Sequence, residues 1–379
     1  KGFWTDFEIT SVNFLKPLKL PPVVRIVSPT QGSASSSDTA KIIVEADDQG
    51  GGVEDIRLYQ NGKLIEDTTR QLTHEKGSKT RGFEVNLVPG VNTFRATAFN
   101  TDRTEARPDE VKIELKAMEA TADLYMLSVG LNEYQNSNFN LNYGKADAQA
   151  FADAVELRGN TIFREIKKKV IFDADASNGG IKKAFEDIIK QARPQDVFVF
   201  FYAGHGVMSE GDEKTASDFY LVPYEVIRLF GDGGNLIKSG IAATDLREML
   251  RKVRALKQLI IIDACQSGGA VETIAIRGVS DQKALMQLAR SAGVAVLASA
   301  GQDQVATEFS KLGHGVFTYA LLKGLSGEAD GSPTDGKVTV KELAAYLDDQ
   351  VPELTKLHRG KLQYPHSSTR GQDFPIGIK

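Results

Sequence analysis

Residues 197–201 (VFVFF) and 259–262 (LIII) are unbroken apolar runs, and each gives way abruptly to a small residue, a reactive residue and glycine. The first ends in YAGHG (202–206) and the second in DACQSGG (263–269). A strand that is apolar at every position must be covered on both faces, the condition of a parallel sheet flanked by helices. The rest of this half of the chain fits that condition. LYMLSVGL (124–131) and VAVLASA (294–300) are further apolar strands. ADAQAFADAVEL (146–157), IKKAFEDIIKQA (181–192) and TDLREMLRKVRA (244–255) carry helical spacing between them. In such sheets the chemistry gathers beyond the carboxyl ends of the strands. His205 and Cys265 both lie there.

Upstream the period changes to two. VVRIV, KIIVEA, IRLYQNGKLI, FEVNLV, NTFRATAF and VKIEL, spread over residues 23–116, alternate and are rich in β-branched residues. Asn61-Gly62 is a hairpin signal, because a tight primed turn needs positive φ. Val88-Pro89-Gly90-Val91 marks another reversal. This strand density suggests an immunoglobulin-like sandwich similar to bacterial modules of that kind. The expected fold class is therefore multidomain. Residues 21–117 form an all-β immunoglobulin-like sandwich. Residues 118–379 form an α/β domain with a mostly parallel sheet and helices on both faces. Residues 1–20 read as an extension, the end of a preceding region, whose apolar stretches should pack against a domain.

A chain of 379 residues suits two domains. Its net charge of −4 and pI near 5.9 give no basic footprint for nucleic acid. No apolar run reaches the roughly 20 residues of a membrane span. The single cysteine excludes an intrachain disulfide and favours a reducing, cytoplasmic compartment.

Taken alone, Cys265 reads as a small buried hydrophobe and His205 as a turn histidine bonded to a carbonyl. Together they place a thiol and an imidazole at one sheet edge, the pair needed for covalent acyl transfer. Flanking glycines leave room for a substrate carbonyl and N–H groups for an oxyanion.

Tyr202-Ala203-Gly204-His205-Gly206, Asp263-Ala264-Cys265-Gln266-Ser267-Gly268, Gly313-His314-Gly315-Val316-Phe317-Thr318 and LNYGKADAQAF (141–151) resemble the caspase-like cysteine peptidases. The resemblance covers about residues 122–350, and is nearer to metacaspases and bacterial orthocaspases than to animal caspases. Caspases carry Gln two residues before the cysteine; here that residue is Asp263. The resemblance implies His205 and Cys265 as catalytic residues, with the backbone N–H groups of Gly206 and Cys265 holding the oxyanion. It also implies that Asp263 and Asp147 line an acidic primary pocket for Arg or Lys. The substrates would be proteins or peptides, and the sandwich is a candidate surface for a protein partner. The rival reading is a catalytically silent caspase-like scaffold.

Other features carry less. His314 precedes a helix, no buried strand delivers it, and it is assigned a structural role. DGKVTVKEL near residue 340 hints at a calcium loop, but Gly331 and Pro333 stand where its first acids belong. Thr339 and Glu342 read better as a capping box. GDGGNLIKSG lacks the glycine that a phosphate loop needs before its lysine. No cofactor is required by this reading; calcium activation, known in some metacaspases, would draw on loop acids such as Asp212, Glu213 or Asp218. The long segment after Cys265 contains Arg277, Lys283 and Arg290. Self-cleavage is expected there, best at Arg277-Gly278 and less well at Lys283.

Overall fold

The structure is a computed structural model that describes residues 19–65, 72–75, 78–116, 122–209, 218–229, 235–265, 286, 288–289, 292–299, 308–309, 313–359, 362–369 and 373–379. The first domain is a two-sheet sandwich. One sheet runs in the order Val23–Ser28, Thr39–Asp47, Ser78–Asn86, Leu72–Glu75. The other runs Ser33–Ser35, Asp109–Leu115, Gly90–Phe99, Asp55–Gln60, Lys63–Leu64. Alternate residues such as Ile42, Val44, Phe83, Phe94 and Ile113 meet between the sheets, as the period of two requires. Asn61 and Gly62 take φ of 51° and 93°, the paired positive values of the expected hairpin turn.

The second domain is built on a sheet in the order Ile166–Phe172, Leu124–Gly130, Val197–Met208, Lys257–Cys265, Ala295–Ala298, His366–Ser368. Its first five strands are parallel and the last is antiparallel. The unbroken apolar runs have a direct cause. Phe198 and Phe200 face a core that holds Phe185, Ile188 and Leu246, from the helices Asn178–Gln191 and Ala243–Lys252. Val199 and Phe201 face a second core that holds Phe151, Phe317 and Leu347, from the helices Gly144–Gly159, Val316–Lys323 and Val340–Arg359. Phe151 stacks on Phe201 with ring centroids 4.6 Å apart. Both faces of the central strand are thus spent on packing, and only its end is left for chemistry.

Charge closes the opposite end of the sheet. Arg164 bonds Asp123 through Nε at 2.8 Å and Nη2 at 2.5 Å, and Arg193 bonds Asp196. The Arg164 guanidinium holds the Asp123 carboxyl below the usual carboxylate range. The expected capping box is present as well. The Thr339 N–H donates to Glu342 Oε2 at 2.9 Å, and the Glu342 N–H donates to Thr339 Oγ1 at 3.3 Å.

The domains touch at the Asn61-Gly62 hairpin. The Lys63 ammonium donates to the carbonyls of Val253 and, at 3.0 Å, Ala255, and the residue is only 3% exposed. These carbonyls follow the helix Ala243–Lys252 and precede the strand Lys257–Cys265. The first domain therefore grips that strand at its start, and Cys265 is at its other end.

Candidate active site

The strands Val197–Met208 and Lys257–Cys265 are parallel neighbours, and their register sets His205 directly beside Cys265. Neighbouring strands lie about 4.8 Å apart, so the two backbone positions are adjacent. His205 itself is buried. Its Nε2 lies 2.7 Å from the Phe139 carbonyl oxygen. A carbonyl only accepts, so Nε2 carries the proton and the acceptor of the neutral ring is Nδ1. The Tyr134 hydroxyl accepts the His205 backbone N–H at 3.0 Å, and the two rings lie 5.0 Å apart. Tyr134 and Phe139 belong to one loop, residues 131–143, and nothing in the sequence reading singled them out.

That loop is held by polar contacts, chiefly from Asp173 and Lys145 outside it. Asp173 Oδ1 accepts the N–H groups of Asn132 and Glu133 at 2.8 and 3.0 Å, and its Oδ2 accepts Lys145 at 2.7 Å. Asn132 Oδ1 accepts the Lys145 N–H, and Asn140 Oδ1 accepts the Tyr134 N–H. Asp173 sits at φ 44°, a conformation a non-glycine residue adopts only under constraint.

The glycines around His205 also have a packing reason. A Cβ on Gly204 would meet the Tyr202 and Tyr134 hydroxyls at 2.7 and 2.9 Å. One on Gly206 would meet Phe219 at 2.6 Å. Neighbouring side chains thus require small residues at both positions. Gly206 continues the strand, paired with Leu221.

Asp147 and Asp263 come together although they are far apart in sequence. Asp147 stands in the first turn of the helix Gly144–Gly159, and Asp263 near the end of the Cys265 strand. Both are buried, and an oxygen of each lies 3.2 Å from where a Cβ on Gly315 would be. The Thr318 hydroxyl donates to Asp263 Oδ2 at 2.6 Å. Burial, and then the facing Asp147 carboxylate, push the Asp263 carboxyl up to about 7 against the hydrogen bonds from Thr318 and Ser299. Asp147 Oδ1 lies 2.7 Å from His314 Nδ1. His314 and Thr318 were not expected at this pocket.

Arg277, Lys283 and Arg290 lie outside the described residues, as do Asp212 and Glu213. Asp218 is described, and its carboxylate accepts the Thr244 hydroxyl at 3.0 Å. Among the described residues no group of three or more His, Cys, Asp or Glu could hold a metal ion. No helix among them is long and apolar enough to cross a membrane.

A mostly parallel sheet lies between two helical layers, and the register of its strands sets His205 beside Cys265 at their carboxyl ends. Residues 125–373 match the caspase domain family and residues 22–82 match a bacterial Ig domain. The chain belongs to the caspase domain family. It is 26% identical over 162 residues to metacaspase-1 of Ajellomyces capsulatus, covering 41% of this chain and 42% of that protein. With metacaspase-1 of Scheffersomyces stipitis the identity is 28% over 99 residues, covering 25% of this chain and 23% of that protein. The chain thus spans less than half the length of these relatives. The solved structure of protein GSU0716 from Geobacter sulfurreducens overlaps 66% of this chain and 94% of its own, at 17% identity and a TM-score of 0.45.

Proposed function

We propose that this protein is a cysteine endopeptidase that cleaves after Arg or Lys using Cys265 and His205. The observation that carries this reading is the register of His205 beside Cys265, with Nε2 of the imidazole committed to the Phe139 carbonyl. That commitment leaves Nδ1 as the ring's basic nitrogen. In the reaction Nδ1 takes the thiol proton and the thiolate attacks the scissile carbonyl carbon. The oxyanion is held by the N–H groups of Gly206 and Cys265. The imidazolium then gives its proton to the leaving amine, producing a thioester. Water, deprotonated by the same nitrogen, hydrolyses the thioester and restores the thiol. Asp263 and Asp147 supply the negative pocket for the guanidinium or ammonium, and Arg is favoured because it binds a carboxylate bidentately.

The test is hydrolysis of Arg, Lys and Asp peptides by the parent and by Cys265→Ala and His205→Ala. Each variant should lose nearly all turnover, because the pair acts as a unit. Activity within tenfold of the parent in either variant, or preferential cleavage after Asp, would overturn the reading. Mass spectrometry of the same samples reads self-cleavage, expected after Arg277 in the parent and absent in Cys265→Ala.

A further inference from the structure

The second Gly-His-Gly is organised around Asp147. Gly313 takes φ 68°, and the chain then enters a two-residue rung, His314–Gly315, paired with Glu308–Phe309. His314 Nδ1 is 2.7 Å from Asp147 Oδ1, and the Gly315 N–H donates to Asp147 Oδ2 at 3.2 Å. An ionised carboxylate only accepts, so Nδ1 is the donor and a neutral imidazole suffices. Three residues further on, Thr318 bonds Asp263. One short segment, 313–318, therefore holds both acids of the pocket. Gly315 runs close to both acids, since a Cβ there would stand 3.2 Å from an oxygen of each.

Among the described residues, the charged groups around this point come from three elements. The helix Gly144–Gly159 brings Asp147, the strand Lys257–Cys265 brings Asp263, and the rung brings His314. Lys145, close to Asp147 in sequence, is turned away and bonded to Asp173. His314 meets the pocket as a side-chain donor to Asp147.

We propose that His314 is a specificity-positioning residue, whose Nδ1–H fixes the Asp147 carboxylate in the orientation that receives a substrate guanidinium. The role rests on the Arg/Lys reading of the pocket given above. A buried carboxylate beside another swings away from it unless something holds it, because the two repel. The imidazole and the Gly315 N–H hold it from one side.

Two measurements test this. The first is calorimetric binding of benzamidine, an arginine-like cation, to Cys265→Ala protein with and without His314→Ala or His314→Gln. The second is the steady-state kinetics of the His314 variants, with Cys265 intact, on an Arg peptide and its uncharged citrulline counterpart. His314→Ala should weaken benzamidine binding about tenfold, the effect of losing one oriented charge-assisted hydrogen bond. It should raise KM for the Arg peptide by a similar factor, with kcat within about threefold and the citrulline peptide unaffected. His314→Gln, which keeps an N–H donor, should recover most of the loss. Equal benzamidine affinity with and without His314, or a Gln variant as poor as Ala, overturns the positioning role and leaves the acidic pocket standing. Benzamidine binding by neither protein overturns the pocket and the role together.

Discussion

At Asp123 the Arg164 guanidinium holds the carboxyl below its ordinary range, whereas at Asp263 burial and the facing Asp147 hold it near 7. The two residues therefore respond to pH in opposite senses. Asp123 contributes stability that is present above the unfolded carboxylate pKa and is lost as pH falls through its lower folded value. Asp263 imposes a cost that is absent below about pH 4, grows up to about pH 7 and is complete above it. Asp263→Asn keeps an acceptor for Thr318 and removes that cost. The variant should match the parent in urea unfolding near pH 4 and exceed it at pH 8, by at most about 4 kcal/mol. In activity it should lose about 30- to several-thousand-fold on Arg peptides. A variant that gains no stability at pH 8 would mean that Asp263 is already ionised without strain.

The loop at residues 131–143 is the element on which His205 depends. It presents the Phe139 carbonyl and the Tyr134 hydroxyl, and Asp173 ties down its start. Against the burial that would raise it, the N–H groups of Glu133 and Asn132 and the Lys145 ammonium hold the Asp173 carboxyl below its usual range. Asp173→Ala should release the loop and let the imidazole drift. The expected result is a kcat lower by about ten- to a hundredfold, with circular dichroism unchanged, since small misplacements of a catalytic group cost that much. Unaltered kcat would show that Phe139 and Tyr134 are held without Asp173. The sequence revealed the strands around this loop because burial on two faces leaves a mark at every position. It revealed the Asn61-Gly62 turn and the Thr339–Glu342 box because their chemistry is local. It could not reveal the Phe139 carbonyl, since every residue has one. The His314–Asp147 bond joins residues 167 apart, a pairing set by sheet order rather than by neighbours in sequence. The packing demand on Gly204 and Gly206 was hidden for the same reason, because Tyr134 and Phe219 arrive from other segments.

On the scale of the whole molecule, a buried lysine lies between the two domains. The Val253 and Ala255 carbonyls that receive Lys63 also receive the Gln258 side-chain amide, so the contact is a small polar network rather than a single bond. Beside it, Gly293 packs so closely against the hairpin that a Cβ would fall 2.7 Å from Lys63 Cα. Lys63→Met should cost about 1–3 kcal/mol, the usual loss when buried acceptors are deprived of a donor. Scanning calorimetry should show one transition in the parent and two in the variant. One transition in both would mean that the domains are joined by something other than this contact.

Chains emerge from the ribosome amino end first, and domains fold largely as units in that order. The sandwich can therefore be complete, its Asn61-Gly62 tip already formed, before the strand Lys257–Cys265 has been made. When the turn at Val253–Ala255 emerges, it meets a finished surface with a donor in place for its carbonyls. The first domain can thus act as a mould for the second, anchoring the base of the strand whose far end carries Cys265.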